Sequence, residues 1–318
     1  NYTGIENLSI TGGGTVTLLG GAGQDTIAVN STAATAQINS GALINFNTSV
    51  AITADGAGNA NDQVVVNGSA SADTIAVARG ATTTVTLAGV VVSVPLATSE
   101  NLLISGGVGN DTVNVTGTGG AALTVDGGAG GTDTLNITLA TAAATNTYTP
   151  GTTNDAGAFV SSADGTTTFV GIDEVSLTGA AATDDVIVQG TNGDDSLTLG
   201  SAGGATRVWT NERPVVTLAT FDGVTLQGRF GRDAIAVQAE GLAGIATVTV
   251  TGGDTAEGDT LLVSGTTAGD TISYTPDAAD LRTGSVVVGA ITTNFSAIEG
   301  VSIDGLGGTD VTTLNGTA

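Results

Sequence analysis

Two short stretches of this chain point most directly at chemistry. They read GGVGNDTVNV at 106–115 and GGAGQDTIAV at 20–29. Each places an aspartate behind three glycines, so that a carboxylate and backbone carbonyls can surround a hard cation such as calcium. The same residues also suit a tight turn between strands, because glycine adopts positive φ and aspartate caps its own backbone. The residues alone leave both interpretations open.

The two stretches resemble the calcium-binding repeats of the repeats-in-toxin family, whose pattern is G-G-x-G-x-D-x-U-x with a large apolar residue at U. Related turns at 127–135, 190–197, 228–235 and 305–312 lack one glycine or carry an inserted residue. In that family the repeats run in direct tandem, whereas strand-like sequence separates them here, which excludes a nine-residue β-roll. The resemblance implies calcium as the ligand, first at Asp25 and Asp111, and then at Asp133, Asp194, Asp195 and Asp310.

Asp233 has the same place in its turn but different neighbours. Arg229 and Arg232 stand beside it, and their charges would oppose a cation. Such arginines can also neutralise the carboxylate directly. We therefore expect no metal at Asp233.

The amino-acid composition disfavours several classes of partner and of catalytic mechanism. The chain has 318 residues, 30 acids, six basic residues that are all arginine, and a net charge of -24, which disfavours nucleic acid as a partner. The absence of histidine, cysteine and lysine removes Ser-His-Asp and Cys-His catalysis and the amine nucleophile. Carboxylate pairs of the glycosidase type remain, because β-helix folds host polysaccharide-cleaving enzymes. We expect a protein that is not an enzyme.

One patch differs from the rest of the chain. The stretch RVWTNERP at 207–214 contains the only tryptophan. Arg207, Trp209, Glu212 and Arg213 could form a sugar-stacking or subunit-docking patch. The alternative is a hairpin tip with a locally satisfied ion pair.

Internal repeats organise the chain. Residues 68–118 match 190–240, and residues 121–191 match 247–317. These registers predict a partial module at 1–49 and four modules at 50–120, 121–190, 191–245 and 246–318. The opening 1–10 matches 294–303, so we expect either a segment of a longer array or a subunit whose ends dock head to tail.

The pattern within the modules predicts the fold class. Short runs of alternating apolar residues are separated by Gly, Asn, Asp and Thr, and no segment has a helical period. Equal steps join Asp62 to Asp73 and Asp259 to Asp270, which fits one strand plus one turn. We predict an all-β, parallel β-helix-like solenoid of degenerate repeats, with tandem small β-sandwich modules as the alternative.

Composition and repeats resemble those of large bacterial β-strand-repeat surface proteins of the adhesin and surface-layer type. This resemblance implies an extracellular structural scaffold, forming a surface layer, a fibre or an adhesin stalk, stabilised by calcium. Its expected partners are further copies of itself, assembled head to tail or laterally, and surface polysaccharide or glycan. The longest apolar run, 89–97, is too short to cross a bilayer. The alternative function is a polysaccharide-binding or polysaccharide-cleaving β-helix.

Overall fold

The structure is a computed structural model that describes residues 7–47, 50–58, 61–95, 101–120, 122–142, 144–242, 244–253 and 258–316. The first six residues of the predicted opening repeat lie outside these ranges. The described residues form 31 strands and no helix, and the strands belong to a 17-stranded sheet A and a 14-stranded sheet B. The predicted all-β, β-helix-like solenoid is confirmed.

Sheet A contains the first, middle and last strands of the chain. Its members are β1 (Asn7–Ile10), β3 (Thr26–Asn30), β4 (Thr35–Ile38), β5 (Leu43–Phe46), β7 (Gln63–Ser69), β11 (Asn101–Gly107), β13 (Ala122–Asp126), β15 (Asn146–Pro150), β16 (Gly157–Ser161), β17 (Gly165–Val170), β19 (Asp184–Gln189), β23 (Phe221–Arg229), β25 (Thr247–Gly253), β27 (Thr271–Pro276), β28 (Gly284–Val288), β29 (Ile291–Ser296) and β31 (Val311–Leu314).

Sheet B contains the strands that alternate with these along the chain. Its members are β2 (Gly14–Leu19), β6 (Val50–Asp55), β8 (Thr74–Arg79), β9 (Thr82–Leu87), β10 (Val90–Pro95), β12 (Thr112–Gly117), β14 (Thr134–Thr138), β18 (Glu174–Thr178), β20 (Ser196–Ala202), β21 (Ala205–Thr210), β22 (Val215–Ala219), β24 (Ala234–Gln238), β26 (Thr260–Ser264) and β30 (Gly300–Asp304).

The chain divides into two compact units. Unit 1 comprises Asn1–Ala140 and Ala163–Val175, and unit 2 comprises Thr141–Ser162 and Ser176–Ala318. Within each unit a plain coil is one strand of sheet A, a turn, one strand of sheet B and a second turn. Successive coils pair in parallel, as β7 with β11 and β11 with β13 in unit 1.

The core of each coil follows from period-two alternation. In sheet A of unit 1 the register stacks Val66, Ile104, Val125 and Phe169 in one row, and each of the four is at most 3% exposed. Branched aliphatic side chains fit such pleated, fully buried positions well. The alternate side chains, among them Asn67, Thr124 and Thr168, lie on the outer face. Buried aliphatic rows therefore hold neighbouring coils together.

Three-stranded antiparallel meanders interrupt the plain coils. Unit 1 has β3–β5 in sheet A and β8–β10 in sheet B, and unit 2 has β20–β22 in sheet B and β27–β29 in sheet A. In β8–β10, the first strand pairs in parallel with the next coil, β12, and the third with the preceding coil, β6. The meander is thus inserted without breaking the parallel stack.

None of the described residues forms a helix that is long and apolar enough to cross a membrane.

Amide side chains on the outer faces of the sheets add hydrogen bonds between paired strands. Asn67 donates to Asn30 across β7 and β3, and Asn136 donates to Asn114 across β14 and β12, each at 2.9 Å. These amide pairs bind adjacent strands on the outer faces of the sheets.

Candidate functional site

The turn aspartates lie directly before strands, at the corners of the coils. Asp111 precedes β12 and Asp133 precedes β14, while Asp195 precedes β20 and Asp233 precedes β24. Because neighbouring strands start in register, these carboxylates stack from coil to coil along one edge of sheet B within each unit. The repeats matched Asp73 with Asp195 and Asp111 with Asp233, and each pair occupies equivalent strand starts.

In unit 1 these residues form a hydrogen-bonded series that we call the aspartate ladder. The backbone N–H of Asp73 donates to Oδ1 of Asp111 at 2.7 Å, and that of Asp111 donates to Oδ1 of Asp133 at 2.7 Å. The N–H of Asp133 donates to Oδ2 of Asp173 at 2.8 Å. Each carboxylate therefore binds the backbone of the preceding coil.

Unit 2 repeats the arrangement. The N–H groups of Asp195 and Asp233 donate to Oδ1 of the next ladder aspartate, Asp233 and Asp259, each at 2.8 Å. The N–H of Asp259 donates to Oε2 of Glu299 at 2.7 Å. Single steps of the same kind join Asp25 to Asp62 at 2.8 Å, and Asp270 to Asp310 at 3.0 Å. Hydrogen bonds to charged acceptors are stronger than neutral ones, so these steps reinforce the stacking of coils.

The first glycine of each turn makes room for the carboxylate. A Cβ built on Gly106 would overlap the carbonyl oxygen of Gly127 in the next coil and lie 2.5 Å from Oδ2 of Asp111. Gly106 does not have a positive φ, whereas Gly107 and Gly109 do, at 105° and 136°. The expectation that glycines serve positive φ is therefore wrong for the first glycine. The same space is required at Gly20, Gly68, Gly127, Gly190, Gly228, Gly252, Gly265 and Gly305, which face Asp25, Asp73, Asp133, Asp195, Asp233, Asp259, Asp270 and Asp310.

Four turns, here called closed turns, use the second carboxylate oxygen as well. In the Asp195 turn, Oδ2 accepts the backbone N–H of Thr191 at 2.6 Å and its hydroxyl at 3.0 Å, and Oδ1 accepts from the side chain of Asn211. The N–H four residues before the aspartate makes the same bond in the other closed turns. These are the turns of Asp25, Asp73 and Asp270. Each closed turn directly precedes a meander.

Three turns, here called open turns, leave the second oxygen without a partner. The Oδ2 atoms of Asp62, Asp111 and Asp233 are buried and make no hydrogen bond, and each residue is 1% exposed. The residue four positions before the aspartate has positive φ in all three, 80° at Gly58, 105° at Gly107 and 84° at Arg229. It has no positive φ in the closed turns, where its N–H binds the carboxylate.

Burial changes the acidity of three ladder aspartates. Loss of solvent raises the pKa of Asp111, and hydrogen bonding to the Asp73 backbone only partly opposes it. The pKa of Asp133 is raised for the same reason, and the neighbouring carboxylates add to the rise. The pKa of Asp233 rises to about 6, chiefly because of burial and further because of Asp259 and Asp195. Stacked carboxylates therefore carry a charge penalty at neutral pH.

All six predicted calcium ligands already accept a hydrogen bond in this structure. Asp25, Asp111, Asp133, Asp195 and Asp310 do so within or between turns as described above, and Asp194 accepts the backbone N–H of Arg232 at 2.9 Å. Asp111 and Asp133 come together as ladder neighbours, Asp194 and Asp195 adjoin in sequence, and Asp25 and Asp310 belong to separate units. Within the described residues no group of three or more acidic side chains could hold a metal ion. Calcium binding stays a prediction.

The arginines beside Asp233 do not neutralise it, contrary to the expectation from sequence. Within the described residues neither Arg229 nor Arg232 forms an ion pair, whereas Arg282 pairs with Asp280 and Glu299. Asp233 is buried, whereas Arg229 is half-buried and Arg232 is exposed.

The tryptophan patch is divided between a strand and a turn. Arg207 and Trp209 lie half-buried on the outer face of β21, with Trp209 beside Gly200 of β20. Glu212 and Arg213 lie in the turn between β21 and β22, as a hairpin tip requires. They do not pair with each other. Glu212 accepts from the Asn154 side chain at 3.0 Å, and Arg213 donates to the Thr153 carbonyl, so both hold the 151–156 loop.

A polar groove of about 330 Å³ lies on the outer face of sheet A in unit 2. Gly223 opens it, and Asp185, Asp222, Thr225 and Thr247 are among the residues that line it. The register between β19 and β23 shifts at Asp184 and Asp185, which brings the Asp185 carboxylate over Gly223. The repeat pattern gave no sign of this groove, because it depends on a bulge.

Several members of the aspartate ladder were not identified from the sequence as candidate functional residues. They are Asp62, Asp73, Asp173, Asp259, Asp270 and Glu299. The signal in the sequence that could have identified them is the glycine that precedes most of the turn aspartates at a fixed distance.

No protein-family model matches the chain, and no curated protein is significantly similar to it. The resemblance to surface proteins therefore rests on the turns and the composition.

Proposed function

We propose that this protein is an extracellular structural scaffold, of the surface-layer, fibre or adhesin-stalk type, that associates with further copies of itself. The aspartate ladder is the observation that carries the proposal. The two residues that most resembled a chemical site, Asp25 and Asp111, each hydrogen-bond to a neighbouring coil, Asp25 through its backbone N–H and Asp111 through its carboxylate, so their chemistry serves cohesion of the solenoid. The role is structural rather than catalytic.

The distribution of charge supports the same function. The acids are spread over successive turns, and within the described residues they form no cluster of three or more that could hold a metal. A net charge of -24 suits an exposed, soluble surface and disfavours contact with nucleic acid. Repeated coils that each contact only their neighbours make a rigid element whose length grows with the number of coils.

Sedimentation velocity and electron microscopy of the purified chain test the proposal. We expect assembly that increases with protein concentration and yields regular fibres or layers. Antibody labelling of intact source cells should mark the cell surface. A chain that stays monomeric at all soluble concentrations, or an antigen found only inside the cell, would rule out the scaffold.

The groove supports a second candidate function, polysaccharide binding. Asp185 and Asp222 with threonine hydroxyls offer hydrogen-bond acceptors and donors to a sugar chain, although no aromatic side chain is among the lining residues. A polysaccharide array probed with wild type and with Asp185→Asn/Asp222→Asn tests this. Binding that the double variant loses would favour this candidate, and equal signals from both proteins would exclude it.

A further inference from the structure

One turn of unit 2 presents an aromatic and basic tip. It comprises Arg229, Phe230, Gly231 and Arg232, and we call it the Arg229 tip. Phe230 is 57% exposed, Arg232 is exposed and Arg229 is half-buried. Over the part of the chain that the structure describes, neither arginine forms an ion pair. An exposed phenyl ring and two arginines without ion pairs thus share one turn of a strongly acidic protein.

The equivalent turn of unit 1 has the same backbone with different side chains. There the residues are Gly107, Val108, Gly109 and Asn110. Gly107 and Arg229 have φ of 105° and 84°, and Gly109 and Gly231 have φ of 136° and 110°. Since both turns close the same coil corner, the turn itself requires neither arginine nor phenylalanine.

The position of Arg229 is also unfavourable for a side chain. Gly107 occupies the equivalent position in unit 1, and Gly128 and Gly253 have similar φ in their own turns, at 100° and 119°. Positive φ disfavours any residue with a Cβ. Backbone strain of this kind is concentrated at functional sites. An arginine here is explained better by what its side chain binds than by the fold.

Most of the other arginines are already engaged. Arg79 donates to the carbonyls of Gly119 and Thr166, Arg282 pairs with Asp280, and Arg213 holds the 151–156 loop. The Arg229 tip is therefore a pair of available cations close together on an exposed turn. Arginine binds carboxylates through two parallel hydrogen bonds, and arginine and aromatic residues are enriched at protein interfaces.

We propose that the Arg229 tip is a docking surface for exposed carboxylates of a second copy of this chain. Charge complementarity selects this partner, because one copy carries 30 acids against six arginines. A contact between a basic tip and an acidic surface joins unlike faces, so it propagates from copy to copy instead of closing a dimer. The inference rests on the proposed scaffold and names the surface through which it assembles.

A graft between the two turns tests the tip. Arg229→Gly, Phe230→Val and Arg232→Asn together place the unit 1 sequence on the unit 2 backbone, which already fits it. Arg282→Asn removes one positive charge outside the tip and serves as the control for Arg232→Asn, which removes one charge within it. Arg232→Asn alone is the fallback if the graft unfolds in a thermal melt.

Sedimentation velocity over a range of protein and salt concentrations gives the readout. We expect salt to weaken wild-type assembly, the graft to weaken it about tenfold or more, and the control to leave it nearly unchanged. Unchanged assembly of the graft overturns the docking surface while the scaffold stands. Absence of wild-type assembly overturns both. If the graft keeps assembly but loses binding to an anionic polysaccharide, the tip serves a glycan and the second copy is excluded.

Discussion

Closed and open turns use the same aspartate in different ways. In the Asp195 turn both carboxylate oxygens accept hydrogen bonds, whereas in the Asp233 turn of the next coil one oxygen is buried without a partner. Closed turns precede meanders and open turns lie between plain coils. Where a meander places a second strand beside the first, Asn211 supplies the donor that a preceding coil otherwise gives. At meanders the second carboxylate oxygen accepts a hydrogen bond within its turn, and in the open turns between plain coils that oxygen is buried without a partner.

The largest expected effect comes from removing the space that both kinds of turn share. Gly106→Ala places a methyl group against the Gly127 carbonyl and the Asp111 carboxylate, and backbone cannot move aside as a side chain can. We expect a loss of about 3 kcal/mol or more in the free energy of unfolding, measured by urea denaturation. Gly23→Ala is the control, because nothing lies within 4 Å of its added Cβ. Equal losses in the two variants would show that the carboxylate does not need this space.

Replacing aspartate by asparagine separates the two kinds of turn. Both oxygens of Asp195 accept hydrogen bonds, so in Asp195→Asn the new NH2 group must face a hydrogen-bond donor. We expect a loss of about 1–3 kcal/mol in the free energy of unfolding. In Asp233→Asn the oxygen keeps the bond to Asp195 N–H, and the amide takes the place of the unpartnered oxygen. We expect that variant to match or exceed wild type at pH 7.5. Equal destabilisation of both would erase the distinction between closed and open turns.

The pH dependence of stability follows from the open turns. The pKa of Asp233 in the folded chain is about 6, above the value of about 4 for an unfolded aspartate. Its protonation therefore stabilises the fold fully below about pH 4, and this contribution is lost as pH rises through about 6. We expect a higher melting temperature at pH 5 than at pH 7.5. Asp233→Asn should reduce this difference in melting temperature. If the variant has the same pH dependence as wild type, the raised pKa of Asp233 is contradicted.

Among these changes, the removal of calcium should have the smallest effect on the stability of the fold. Extracellular calcium modules bind in the 0.1–1 mM range, but here the predicted ligands already accept hydrogen bonds, so we expect at most about 1 kcal/mol per site. A thermal scan with calcium and with chelator measures the contribution, and Asp111→Asn should reduce it. Identical melting temperatures under both conditions would show that calcium does not stabilise these turns.

The sequence predicted the fold class because its signals are local and repeated. Alternation in runs such as the one that forms β12 gives strands, and the internal repeats match Asp73 with Asp195 at equivalent meanders. The antiparallel course of β9 was not predictable, since its alternation is the same as in parallel strands. The ladder was not predictable either, because Asp73 and Asp111 meet only when the coils stack. The role of Gly106 was misread, since sequence does not distinguish glycine needed for φ from glycine needed for space.

Amide hydrogen exchange at Asp111 tests the ladder most directly. We expect its backbone N–H to exchange as slowly as strand amides, because it donates to the Asp133 carboxylate in the next coil. Asp133→Ala should make that amide exchange much faster. Asp126→Ala, which removes a nearby carboxylate bonded to Gly128 N–H within its own turn, should leave it unchanged. Rapid exchange in wild type, or equal rates in all three proteins, would contradict the claim that the turn aspartates hold the coils together.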